Sequence, residues 1–101
     1  MNYHYDPEAD SLYVQVSSAA VQGQVERADG VIVDVDAVGR PVGFDVMNPG
    51  AGWDVETIVA EYGFDGADAE LLRALGEAQW QPASAPIADA PARVQAPVVV
   101  A

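Results

Sequence analysis

The sequence predicts an α+β fold: an antiparallel β-meander of four or five strands, two short helices packed on one face, and an extended C-terminal tail. Three observations carry this expectation. Apolar and polar residues alternate through residues 3–47, the period of strands buried on one side. After the breaker Asn48-Pro49-Gly50-Ala51-Gly52 the apolar spacing becomes helical. From Gln81 onward, Pro82, Pro86, Pro91 and Pro97 interrupt an Ala-rich stretch that cannot be helical throughout.

The strands follow from the alternation and the turns. Tyr3 and Tyr5 open the series, Leu12, Val14 and Val16 form the next set, and Val25 marks a strand near residues 22–27. Val31, Val33 and Val35 come next, followed by Val42, Phe44 and Val46. Asp6-Pro7-Glu8-Ala9 opens the first connection with Pro at the second turn position, which sets Tyr5 against Leu12 and Tyr3 against Val14. Ala28-Asp29-Gly30 is a three-residue loop with Gly where a bulged hairpin needs a left-handed residue, so Arg27 pairs with Val31 and Val25 with Val33. Ala37-Val38-Gly39-Arg40 suits a four-residue loop closed by Asp36 and Pro41, which sets Val35 against Val42, Val33 against Phe44 and Val31 against Val46. A one-residue slip would place Asp34 opposite Val42.

The apolar face needs a cover. Asp54 is placed to cap a helix over about 55–62, with Val55, Ile58, Val59 and Tyr62 on one side and Gly63 ending it. A second helix is expected over about 67–79, with Leu71, Leu72, Leu75 and Ala78 on one side and Asp68 and Glu70 near its positive end. Gly76 weakens it by roughly 1 kcal/mol. Residues 1–80 therefore read as one α+β domain and 81–101 as a Pro/Ala-rich extended tail with the capacity to add a strand. The tail ends in Val98-Val99-Val100. It is either a solvated terminus or is held by burying those valines, at ~1.5 kcal/mol each, along a sheet edge or across a second subunit.

Tyr5-Asp6-Pro7-Glu8-Ala9-Asp10-Ser11-Leu12-Tyr13-Val14 stands first in a motif pair. Gly30-Val31-Ile32-Val33-Asp34-Val35-Asp36, with Gly39-Arg40-Pro41-Val42-Gly43-Phe44-Asp45-Val46, forms the second. In this order and spacing they resemble the small bacterial domain-of-unknown-function family numbered 2283, over roughly residues 3–47. The chain departs from that pattern at Pro41, where Leu is usual, and at Phe44-Asp45-Val46, where Ile-Glu-Ile is usual. The resemblance implies a compact antiparallel sheet and transfers no catalytic residue. Some members look like antitoxin partners of toxin candidates, which makes a basic protein partner one reading.

Composition excludes more than it assigns. The 101 residues hold 16 acidic and 4 basic side chains, a net charge of −12, with no Cys and no Lys. That removes a disulfide framework, a thiolate zinc site, a Cys nucleophile and Schiff-base chemistry. The charge repels a phosphate backbone, so no direct nucleic-acid binding is expected. No apolar run approaches the ~18 residues of a membrane span, and MNYHYDPEAD lacks the features of a signal peptide, so a cytoplasmic location and no membrane partner are expected.

Candidate chemistry is sparse. Asp34 and Asp45 project from the outward sheet face, diagonal to one another and roughly 7 Å apart at the backbone, and are the candidates for a hard cation or an acid–base pair. An outward sheet face offers no pocket to push their pKa values apart, so a solvated acidic face that discourages aggregation is the simpler account of them. Asp34-Val35-Asp36-Ala37-Val38-Gly39 lacks the further ligands of a calcium loop, and Gly50-Ala51-Gly52 is too short for a phosphate loop. His4, the lone histidine, should point outward beside Tyr13 and builds neither a triad nor a zinc site. Trp53 reads as core. Tyr13, Ile32, Trp80, Val98, Val99 and Val100 are the interface candidates. The expectation is a small acidic non-enzymatic interaction module without catalytic residues or cofactor, self-associating as a homodimer. An antitoxin-like binder of a basic protein is the alternative, and a metal or small-molecule site on the outward carboxylates a second one.

Overall fold

The structure, a computed structural model, describes residues 1–83. The expectations for the tail beyond Ala83, Val98, Val99 and Val100 among them, lie outside the described residues. The element order is β1 (Asn2–Asp6), β2 (Ser11–Gln15), β3 (Gly23–Glu26), β4 (Val31–Val35), β5 (Pro41–Met47), a 3-10 turn (Pro49–Ala51), α1 (Val55–Tyr62) and α2 (Gly66–Glu77). This is the α+β arrangement the alternation and the helical spacing imply.

All strand pairs are antiparallel, in the order β1-β2-β5-β4-β3. The order departs from a sequential meander at one point: β2 pairs with β5, not with β3. Leu12 and Val14 face Val46 and Phe44 across that pair. The strands richest in buried side chains thus occupy the middle, and β3, with three of its four residues exposed, takes an edge. Residues 16–22 make the crossing past the β4–β5 turn. The backbone N–H groups of Val16 and Ser17 donate to the Val42 carbonyl at 2.8 and 3.2 Å, and that of Gln22 donates to Val35 at 2.8 Å.

The register matches the turn chemistry closely. Tyr5 opposes Leu12, Tyr3 opposes Val14 and Val25 opposes Val33. Val33 opposes Phe44 and Val31 opposes Val46. The β4–β5 turn differs from expectation. Asp36 N–H donates to the Arg40 carbonyl at 2.9 Å, so the loop holds three residues rather than four. Val35 then pairs with Pro41, and a bulge at Val42 restores the register beyond. The cause is local: the Asp36 carboxylate accepts from the N–H groups of Val38 (3.0 Å) and Arg40 (2.9 Å), fixing the tighter turn. Those bonds hold the Asp36 carboxyl below the usual carboxylate range, the Arg40 backbone contact leading.

The helices cover one face. Leu12, Val14, Val31, Val33, Phe44 and Val46 meet Val55, Ile58 and Val59 of α1 and Ala69, Leu72 and Leu75 of α2. Phe44 is fully buried, edge-on to Tyr62 and Phe64 with ring centres 5.7 and 5.9 Å away. Asp54 caps α1 by accepting from Thr57 N–H at 3.3 Å. α2 stops at Glu77, short of the expected 79, because Ala78 turns to extended backbone. Trp80 then folds back and its indole Nε1–H donates to the Leu75 carbonyl at 3.1 Å, satisfying an acceptor of the last helical turn. Ala78 is accordingly exposed, and Ala69, in the first turn of α2, is buried with Leu72 and Leu75. Gly76 sits where a Cβ would come within 2.5 Å of Val55 Cγ2, so its presence in a helix is explained by the close approach of α1.

Candidate functional site

The face opposite the helices carries the candidate residues. Because side chains alternate along each strand, His4, Tyr13, Asp45, Ile32 and Glu26 form one row across the five strands, through the pairs His4–Tyr13, Tyr13–Asp45, Asp45–Ile32 and Ile32–Glu26. The next row holds Asn2, Gln15, Gly43, Asp34 and Gln24. Both carboxylates predicted to face outward, Asp34 and Asp45, do so and are half-buried, as are Tyr13 and Ile32.

A hydrogen-bond network joins these rows. The Tyr13 hydroxyl donates to Asp34 Oδ2 at 2.9 Å, and Gln24 Nε2 donates to Asp34 Oδ1 at 2.8 Å. Ser11 Oγ donates to Asp45 Oδ1 at 3.2 Å. To reach Asp34 the phenol must cross Gly43, and a Cβ there would collide with the Tyr13 hydroxyl and ring carbons. Desolvation, reinforced by the hydrogen bond to Asp34 and the charges of Asp34 and Asp45, pushes the Tyr13 phenol up to about 12. At neutral pH it therefore acts as a donor.

Each Asp34 oxygen accepts from one protein donor, which uses about half of the carboxylate's lone-pair sites. Among the described residues no three His, Asp or Glu side chains converge to hold a metal ion. His4 is exposed beside Tyr13. The remaining interface candidate in the described chain, Trp80, packs within the molecule, its ring 4.9 Å from Tyr5 and 6.4 Å from Tyr3. Trp53 packs against the core while its Nε1–H lacks a protein acceptor.

The opening motif builds the β1–β2 turn. Asp6 accepts from the N–H groups of Glu8 and Ala9 at 3.0 and 3.4 Å. Tyr5 donates to Asp10 Oδ1 at 2.6 Å, and Asp10 itself takes a left-handed backbone with φ 51°. Burial first, then this bond, pushes the Tyr5 phenol up to about 12. Residues 2–48 match the family model described as Protein of unknown function (DUF2283). No curated protein and no solved structure matches the chain. The matched segment takes in all five strands and stops before α1, so the helices that close the core fall outside it. Within that segment Tyr5, Asp6, Asp10 and Gly43 each have a structural task.

Ser11 and Gln24, which hold the carboxylates, escaped the sequence reading. Gln24 was within reach of it, since pairing Val25 with Val33 places Gln24 opposite Asp34. Ser11 was not, because its position depends on β2 lying against β5. Also unforeseen is the exposure of the outer strands: Tyr3 is 51% exposed and Val25 47%, though the residues directly opposite them, Val14 and Val33, are fully buried.

Proposed function

We propose that this chain is a non-enzymatic protein-interaction module that associates with a second copy of itself. One observation carries the reading: the helical layer covers the central strands and leaves Tyr3 and Val25, on the same face, half in water at the two sheet edges. An edge strand with unpaired backbone groups and a half-exposed apolar side chain is a template for another strand. The outward face supports the reading less, since Tyr13 and Asp34 satisfy each other and present a polar surface.

A second reading, binding to a basic protein, is favoured by the charge distribution. Arg27 is paired with Glu61 at 2.7 Å and Asp29 at 3.5 Å, Arg40 with Asp36 at 3.1 Å and Arg73 with Glu56 at 2.8 Å. These cations are spent inside the chain, and the other carboxylates leave a strongly negative surface that would steer a positive partner.

Ionic strength separates the two. Two copies of a chain carrying −12 repel each other, so added salt should strengthen self-association, whereas it should weaken capture of a basic partner. Light scattering across a salt series is the test. A monomer at high micromolar concentration in every salt condition would contradict self-association.

A further inference from the structure

We infer that β3 is the edge through which two copies join, antiparallel and two-fold symmetric about Val25, making one continuous ten-stranded sheet. The inference rests on the self-association reading and adds its surface and register. β3 lies at the end of the sheet away from β1, and the described chain returns to the β1 side, where Ala83 N–H donates to the Pro7 carbonyl at 2.8 Å. Among the described residues nothing pairs with the outer side of β3. The strand carries no Pro and no Lys to blunt that edge.

Hydrogen-bond parity restricts the register. Arg27 N–H bonds to Val31 across the β3–β4 pair at 2.8 Å, and Val25 and Gly23 continue that series opposite Val33 and Val35. The backbone groups of the alternate residues, Gln24 and Glu26, therefore face the open edge. A two-fold axis at Val25 sets Gln24 against Glu26 of the second copy and Glu26 against its Gln24, which uses the edge groups of both residues on both chains. It also keeps carboxylate away from carboxylate. An axis at Glu26 would oppose two like charges.

The same axis brings Val25 against its own counterpart as a close, non-hydrogen-bonded pair on the helix side. That contact removes from water a side chain now 47% exposed. Arg27, held against α1 by Glu61, falls opposite Gly23 of the second copy, which has no side chain to obstruct it. Four residues of edge make a small interface, the size class of weak, transient association.

The absence of cysteine makes the register directly testable in the full chain. Across a non-hydrogen-bonded pair Cα atoms lie about 4.5 Å apart, within disulfide reach. Val25→Cys should form a disulfide-linked dimer under mild oxidation, several-fold faster than Val38→Cys, whose residue is 72% exposed in the β4–β5 turn. Val25→Lys should abolish self-association while keeping the native thermal midpoint. If the native chain dimerises but Val25→Cys links no faster than Val38→Cys, or Val25→Lys still dimerises, the β3 edge is wrong and the module reading stands. If the native chain does not self-associate, both fail.

Discussion

The ring of Tyr13 lies across the backbone of Gly43 and delivers its hydroxyl to Asp34, 2.9 Å away on the second strand over. This arrangement ties β2 to β4 across β5 on the open face. Gly43→Ala should push the ring off, break the bond to Asp34 and destabilise the fold by about 1–3 kcal/mol. Urea denaturation measures the loss. Because Tyr13→Ala removes the obstruction, the double variant should cost less than the two single costs added.

The same contact makes an alkaline signature. With Tyr13 and Tyr5 raised from 10 to about 12 in the folded state, the native chain holds more protons than the unfolded chain between those values. Their contribution to stability is complete below pH 10 and is lost as pH rises toward 12. Absorbance titration of tyrosinate should show two phenols ionising near pH 12, and Tyr13→Phe should leave one. Two late phenols persisting in that variant would contradict the assignment.

Gly76→Ala sets two effects against each other. Helix propensity favours Ala by roughly 1 kcal/mol, whereas overpacking against Val55 costs typically about 1–3 kcal/mol. The expected outcome is net destabilisation, opposite to the effect at an open helical position. Pairing it with Val55→Ala should relieve the clash, leaving mainly the cost of the lost Val55 methyls. Thermal melts of the three variants distinguish these terms.

Phe44 is the largest fully buried side chain and the meeting point of sheet and helices. Phe44→Ala should cost ~3–5 kcal/mol, a large part of the ~5–15 kcal/mol that holds small domains together. Chemical denaturation followed by tryptophan fluorescence should show the unfolding midpoint moved to markedly lower denaturant.

The sheet and the first helix were legible because their signals are local. Ala28-Asp29-Gly30 sets the β3–β4 register by its own geometry, and Asp54 and Gly63 bracket α1. The strand order was not legible in the same way. Leu12 and Val14 both find apolar partners on β5, in Val46 and Phe44, whereas β3 offers Val25 alone, so the choice is made by burial across the whole sheet and not by a local turn signal. Ser11–Asp45 and Tyr13–Asp34 depend on that order, so they were hidden with it. The shorter β4–β5 loop was hidden for a different reason: the Val42 bulge returns the register to the expected one, and the apolar pattern is blind to it.

Sedimentation equilibrium of the full chain over a concentration series tests the central reading most directly. The expected result is a mass that climbs from 10.6 kDa toward twice that value at high micromolar concentration, and climbs further with added salt. A single species at 10.6 kDa across the whole series would contradict it.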